Sequence, residues 1–308
     1  MINVSGVTKS YGKLIAIDNI SFAVEKGEIL GFLGPNGAGK TTTMRMITGY
    51  TPPTEGEIRV GGFDVVEDSI QAKKQIGYLP ENLPLYNEMT VRGYLDFIAD
   101  LRNVSGRIKR ERISVVMEQC GIEDVENRLI GNLSKGYRQR IGIAQALVDD
   151  PAVLILDEPT IGLDPKQIME IRELIKGLAG DRTIILSTHI LPEVNMICTR
   201  VVIIHKGRIA LEQSLDRITE DLEGSKMLLL KINRSDINVQ DRIRELPYVS
   251  DVREISHGEF RVSCDGSHDI REQLARTVVE NGWGLLELRP FTKSLEEIFL
   301  RVISAEGE

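Results

Sequence analysis

Two short stretches carry residues whose types and spacing can do chemistry on phosphate. The first is "GPNGAGKT", Gly34–Thr41. Gly34 and Gly39 bracket a turn containing Pro35, Asn36, Gly37 and Ala38, and Lys40 and Thr41 follow at once. Glycines let backbone N–H groups close around phosphate oxygens with no Cβ in the way. The pattern predicts that Lys40 bridges β- and γ-phosphates and that the Thr41 hydroxyl ligates Mg²⁺. Thr42 is placed to bond the α-phosphate, and a helix starting here adds a field that favours anions. A chance glycine turn would be the bland alternative. The context opposes it, because the apolar run "GEILGFLG" leads in and the helix-patterned "KTTTMRMIT" leads out.

The second stretch is "VLILDEPT", Val153–Thr160, an apolar run ending in Asp157 and Glu158. Strand alternation sends adjacent side chains to opposite sides. At a strand end beside the phosphate turn, Asp157 is then expected to hold the Mg²⁺ shell. Glu158 can face a water in line with the γ-phosphate as general base. Two solvated charges before a turn are the alternative, but an apolar run leading straight into the pair is hard to place on ordinary surface. A third acidic residue, Glu81, closes "IGYLPE" ahead of the proline-punctuated "NLPLY". Taken alone it is a surface charge at a strand end.

These groups need elements to hold them. Residues 1–25 alternate apolar and polar, which predicts strands. "AVLILD", "TIILS" and "RVVIIHKG" are continuous apolar runs, suited to strands buried on both faces of a parallel sheet. Residues 90–150 are mainly helical in spacing, and Gly49 is a plausible C-cap of the helix after the phosphate turn. The pattern changes at 215–226. Beyond it come a strand "MLLLKI", a helix over 238–246, strands "VSDVREI" and "GEFRVSC", a helix over 268–281, a strand "WGLLELRP" and a helix over 294–304. The order βαββαβ plus a helix predicts a small ferredoxin-like sandwich.

Composition narrows the function classes. The 308 residues allow one large domain and a smaller one, and 42% hydrophobic content supports a buried core. A net charge of −8 disfavours nonspecific binding to nucleic acid or to an anionic membrane. Cys120, Cys198 and Cys264 are scattered, form no CxxC pair, and read as small core residues of a reducing compartment. The amino-terminal "MINVSGVTKSYGK" has no signal-peptide core, and no apolar run approaches the ~20 residues of a membrane span. Any membrane part would come from another chain. "SCDGSHD" gathers Cys264, Asp265, His268 and Asp269, but its spacing fits no defined metal site, and a polar turn is the simpler reading.

Taken together, residues 1–220 resemble the ATP-binding subunit of an ATP-binding-cassette (ABC) transporter. The resemblance rests on the phosphate turn, "LSKGYRQR" (Leu133–Arg140) as the signature segment, Val153–Thr160, "IGLDP" with Asp164, and "STHI" with His189. It implies an α/β P-loop ATPase core, a mixed sheet with a helical subdomain at about 84–150, followed by a small α+β domain at 221–308. It further implies that two copies, or this chain and a second ATPase subunit, sandwich ATP and Mg²⁺. The phosphate turn of one copy would face Ser134 and Gly136 of the other, at the start of a helix over 136–149. His189 would hold the γ-phosphate and position water. Tyr11, in "KSYGK", sits where the family puts an aromatic against adenine, the alternative being a core or strand-face aromatic; stacking of this kind is worth roughly 1–3 kcal/mol.

Three departures stand out. Lys135 and Tyr137 replace a glycine and the glutamine of the usual LSGGQ. Lys135 could add positive charge near ATP or point to solvent. Glu81 takes the place of a glutamine; a carboxylate ligates Mg²⁺ at least as well as an amide oxygen. It also adds charge near Asp157 and Glu158, which should favour Mg²⁺ and raise the proton affinity of Glu158. "YLPENLPLY", "LSKGYRQR" and "SLEEIFLRV" are similar to the ABC-2 export branch. The implied function is ATP hydrolysis driving export through an integral membrane permease, with this chain cytoplasmic and peripheral on the inner face of the membrane. A soluble ABC ATPase acting on ribosomes or DNA is the second class, disfavoured by a single set of motifs and the acidic balance. A nucleotide-gated module without turnover is the third, disfavoured by Glu158 and His189. The C-terminal domain reads as a packing or dimer-supporting unit before a ligand sensor.

If Glu81 ligates Mg²⁺ and couples it to movement of residues 82–95, Glu81→Ala slows or uncouples turnover more than it weakens ATP binding. Wild-type transport with wild-type Mg²⁺ dependence in that variant would return Glu81 to a plain surface charge.

Overall fold

The alternating amino-terminal segment forms β1 (Ile2–Tyr11) and β2 (Leu14–Val24), whose apolar side chains point alternately into the core. With β4 (Glu55–Val60) and β5 (Phe63–Asp64) they make an antiparallel sheet of order β2-β1-β4-β5. The continuous apolar runs behave differently. In the computed structural model, β3 (Ile29–Leu33), β7 (Val153–Asp157) and β8 (Thr183–Thr188) are buried at every position. Together with β6 (Ile76–Leu79), β9 (Arg200–His205) and β10 (Arg208–Ser214) they form a second sheet of order β10-β9-β3-β8-β7-β6. Its neighbours are parallel except β10, which pairs antiparallel at one edge. Parallel strands need crossover connections that cover both faces, which is why these runs carry no polar alternation.

The order of this sheet sets the chemistry. β3, which feeds the phosphate turn, lies beside β8, and β8 lies beside β7. The ends of these three strands therefore bring the phosphate turn, His189 and the carboxylate pair to one edge. α1 (Lys40–Ile47) follows the turn and closes at Gly49, which takes a φ of +65°. α2 (Ser69–Lys74) precedes β6. Then come α3 (Val91–Leu101), capped by Thr90, α4 (Gly106–Cys120) and α5 (Lys135–Leu147). α6 (Pro165–Gly177) links β7 to β8, and α7 (Leu191–Ile197) links β8 to β9.

α5 is pressed against β6 with unusual closeness. A Cβ on Gly77 would lie 2.0 Å from the Ala146 carbonyl oxygen and 2.9 Å from Pro151 Cγ. Only a residue without a side chain lets the two backbones meet there.

The structure describes residues 1–215, 227–233, 238–265, 268–290 and 299, divided between two units, Met1–Ser214 and Leu215–Glu308. The second unit contains β11 (Met227–Ile232), α8 (Val239–Arg244), β12 (Val249–Ser256), β13 (Glu259–Cys264), α9 (Arg271–Glu280) and β14 (Leu285–Pro290). Its strands pair antiparallel in the order β12-β13-β11-β14. This is the βαββαβ arrangement that the sequence order predicted. Leu230, Ile243, Phe260, Val262, Leu274 and Trp283 are buried in its core. The helix expected over 294–304 lies outside the described residues apart from 299.

Gly77→Ala should therefore destabilise the first unit through backbone overlap that no rotamer relieves. Overpacking costs about 1–3 kcal/mol, or roughly 3–9 °C in Tm for a unit of this size. Calorimetry is expected to show that loss; an unchanged Tm would mean that α5 and β6 can part at no cost.

Candidate functional site

α1 starts at Lys40 with no side-chain cap and no acid in its first turn, so its leading N–H groups are left for an outside acceptor. Gly37 and Gly39 adopt φ of +80° and +111°. Close packing adds to the need for glycine. A Cβ on Gly39 would sit 2.4 Å from Ile17 Cδ1, and one on Gly34 would sit 2.5 Å from the Ile204 carbonyl oxygen. The turn is thus both curled and wedged against its neighbours.

Lys40 is almost fully buried, and its Nζ donates to the Gly34 carbonyl at 2.8 Å. The same Nζ lies 3.3 Å from Glu158 Oε1. The other oxygen of that carboxylate, Oε2, meets His189 Nδ1 at 2.9 Å. A carboxylate beside a lysine is charged and only accepts, so Nδ1 carries the hydrogen and Nε2 is left for another partner. The result is a continuous chain, Lys40–Glu158–His189, spanning the phosphate turn and two strand ends.

Simple alternation does not place Glu158. β7 ends at Asp157, and Glu158 takes a left-handed φ of +53°. Its N–H donates to the Ser187 carbonyl at 2.9 Å. The expected separation of Asp157 from Glu158 is therefore made by a backbone reversal rather than by strand pleating.

Asp157 is fully buried. Oδ1 accepts from the Ser187 hydroxyl at 2.7 Å, whereas Oδ2 has no hydrogen-bond partner among the described residues. Burial pushes this carboxyl above the usual range; the Ser187 and Thr41 hydroxyls pull it back, and the charges of Glu158 and Glu81 add to the upward push. The Tyr78 hydroxyl, in the same field, is pushed up to about 12 by burial first and Asp157 next. An orphaned carboxylate oxygen beside Thr41 suits a hard divalent cation with oxygen ligands, so the residues present fit Mg²⁺.

A cleft of about 720 Å³ is lined by Asn36, Gly37, Gly39, Lys40, Thr41, Thr42, Glu81, Glu158 and His189. Glu81 is exposed. Leu14, Ile15, Ala16, Ile161, Lys206 and Gly207 also line the cleft, and sequence reasoning did not single them out. The first three follow the β1–β2 turn, where Leu14 and Ile15 are exposed. Tyr11 ends β1, opposite Leu14. Its ring is 47% exposed, carries Lys9 Nζ 5.2 Å from its centroid, and is not part of the cleft wall.

Ser134, Gly136 and Asp164 lie elsewhere, together lining a cleft of about 360 Å³. Ser134 caps α5, its Oγ accepting from the Tyr137 N–H, and α5 begins at Lys135 rather than at 136. Asp164 caps α6, with Oδ1 accepting from the Gln167 N–H at 2.9 Å. A Cβ on Gly136 would lie 2.8 Å from the Gln167 side chain, so the starts of α5 and α6 are in close contact. Tyr137 donates to Asp124 at 2.7 Å. Lys135 is exposed but bends over Gly162, where an added Cβ would lie 2.2 Å from its Nζ; it shares a cleft of about 510 Å³ with Glu81 and Arg138.

The ABC transporter family model matches residues 17–161. The chain is 36% identical to the bacitracin transport ATP-binding protein BcrA of Bacillus licheniformis, over 98% of this chain and 97% of that protein. It is also 36% identical to the Nod factor export ATP-binding protein I of Rhizobium sp. (strain N33), over 100% and 98%. Among solved structures, the ABC transporter cassette MJ0796 in dimeric form is similar with a TM-score of 0.64 and 27% identity, covering 70% of this chain and 99% of that one. The same cassette is known in a post-hydrolysis state with ADP and Pi.

Asp157 yields a signed pH prediction. A raised carboxyl pKa means that the folded state binds the proton more tightly than the unfolded state, so stability falls as pH rises through the native value. Asp157→Asn removes that cost. The nucleotide-free variant should melt above the wild type at pH 7, with the gap closing as the pH is lowered. A variant that melts below the wild type at pH 7 would show that the ionised carboxylate stabilises the fold.

Proposed function

We propose that this chain, which belongs to the ABC transporter ATP-binding family and hydrolyses ATP, drives export through a separate membrane-spanning permease. The observation that carries the site reading is the Lys40–Glu158–His189 chain at the phosphate turn, with contacts of 3.3 and 2.9 Å. Lys40 exchanges its carboxylate and carbonyl partners for β- and γ-phosphate oxygens. The N–H groups of Gly37–Thr42 close on the phosphates, and Thr42 bonds the α-phosphate. Thr41 and Asp157, joined by Glu81, would hold Mg²⁺, which when bound draws charge from the β- and γ-phosphate oxygens. Glu158, released from Lys40, takes a proton from the attacking water. His189 turns a ring N–H toward the γ-phosphate and, through its contact with Glu158, fixes the angle of the carboxylate. The exposed ring of Tyr11 stacks on the adenine.

Ser134, Gly136 and Asp164 act on a nucleotide held by a second copy or a second ATPase subunit. Their separate cleft in this chain supports that reading, because they share no wall with the phosphate turn. Ser134 takes up the Tyr137 N–H, and the N–H groups of Lys135 and Gly136 ahead of it are left for a γ-phosphate presented from across an interface. ATP then shifts the population toward the closed pair, and loss of the γ-phosphate reverses the shift.

The permease is assigned to an aromatic groove of about 280 Å³ lined by Tyr78, Pro84, Tyr86, Tyr94, Phe97 and Leu101. Tyr86 and Leu101 remain 51% and 62% exposed there, and the groove adjoins the segment that follows Glu81. Among the described residues no helix is long and apolar enough to cross a membrane. The chain would sit on the inner face of the membrane, held by its partner. The relatives named for bacitracin transport and Nod factor export favour the export direction.

The decisive variant is Glu158→Gln. It should lose turnover by ~10²-fold or more while ATP still binds, as expected for loss of a general base. Affinity purification of the tagged chain from membranes should recover an integral membrane subunit. Recovery of ribosomes in its place, or full turnover by Glu158→Gln, would overturn the proposal.

A further inference from the structure

We infer that Glu193 is a positioning residue for hydrolysis, locking together the two loops that carry Glu158 and His189. The inference rests on the roles proposed above for those two residues. Glu193 lies in the first turn of α7 with its carboxylate fully buried. Each of its oxygens is committed to a different strand end. Oε1 accepts from the hydroxyl of Thr160, which stands two residues after Glu158. Oε2 accepts from the hydroxyl of Thr188 at 2.7 Å, and Thr188 immediately precedes His189. The Thr188 hydroxyl oxygen in turn accepts from the Ile190 N–H at 3.0 Å. Both threonines are as buried as the carboxylate, at 2% and 0% exposure. Arg172 of α6, with Nη2 3.8 Å from Oε1, supplies the opposing charge.

A buried carboxylate is costly, and this one does not reach the cleft. Its two hydrogen bonds tie the segment after β7 to the last residue of β8, the same two strand ends that the Glu158–His189 contact joins. Glu158 needs such a tie, because a non-glycine residue at φ +53° is held only where its surroundings over-determine it. Loss of the bridge would let Glu158 and His189 drift apart while leaving the phosphate turn, on β3 and α1, in place. The effect should thus fall on the chemical step and spare ATP binding.

The test uses the full-length chain and compares kcat, ATP affinity and Tm. Glu193→Ala should lower kcat about 10–100-fold, the cost of roughly 1 Å of misplacement, with ATP affinity within about threefold of wild type. Glu193→Gln can accept from one threonine and donate to the other, so it should keep more turnover than Glu193→Ala. Thr188→Val conserves shape and removes one hydroxyl; it should show the same split between kcat and affinity, and it answers the question if Glu193→Ala does not fold. Glu158→Gln and His189→Ala serve as controls. If either keeps wild-type turnover, the site reading fails and this inference fails with it. If both lose turnover but Glu193→Ala and Thr188→Val keep wild-type kcat, the inference alone fails. It also fails alone if kcat and ATP affinity fall in equal proportion as Tm drops.

Discussion

The site depends on one charge pair removed from water, Lys40 with Glu158. At 3.3 Å and an effective dielectric near 20, the attraction is about 5 kcal/mol. Desolvating two ions costs several kcal/mol for each, so the intact pair is close to neutral for stability. Its importance lies in what happens when one partner goes. A lone charge at 6% exposure is worth about 3–5 kcal/mol of destabilisation. In the proposed function, the phosphates of ATP would replace Glu158 as the partner of Lys40 and leave Glu158 with His189. A pair that adds little to the fold would then control when the carboxylate is free to act.

That pair can form because three strand ends converge. β3, β8 and β7 lie side by side, and each delivers one member of the chain from Lys40 to His189. The delivery of Glu158 is the demanding one. Its left-handed backbone is of a kind that costs roughly 1–3 kcal/mol; its N–H donates to the Ser187 carbonyl, and Glu193 bridges Thr160 and Thr188 close by. Strain, burial and charge are concentrated within a few residues, while the β-sheets around them follow ordinary packing rules.

Much of this was legible in the sequence. Continuous apolar runs marked the parallel strands because burial on both faces leaves no polar alternation. "GPNGAGKT" marked the phosphate turn because the requirement for missing Cβ atoms is local. The βαββαβ order of the second unit was readable for the same reason, since turn residues and apolar periods are local signals. What escaped was set by contacts between distant segments. Glu193 stands in "HILPEVN", where nothing nearby announces Thr160 as its partner. The left-handed turn at Glu158 was hidden because alternation predicts the same gross outcome by another route. Lys206 and Leu14 join the phosphate cleft only because hairpin turns from two sheets meet there. For Lys135 the alternatives were ATP or solvent; its side chain is exposed, with its Nζ over Gly162 of its own chain.

The close meeting of Gly77 and Ala146 has a mechanical meaning. α5 is a rod of about 20 Å at 1.5 Å per residue, with Ser134 at its amino end and Ala146 near its fixed end. The fixed end is welded to β6, the strand that leads directly to Glu81. Halfway along, Gly142 leaves room for Leu79 and Leu83, which stand on either side of Glu81. A tilt imposed on the loop at Glu81 would therefore be carried to Ser134 as the swing of a stiff arm. On the proposed function, sensing at one cleft and contact at the other would be two ends of a single lever.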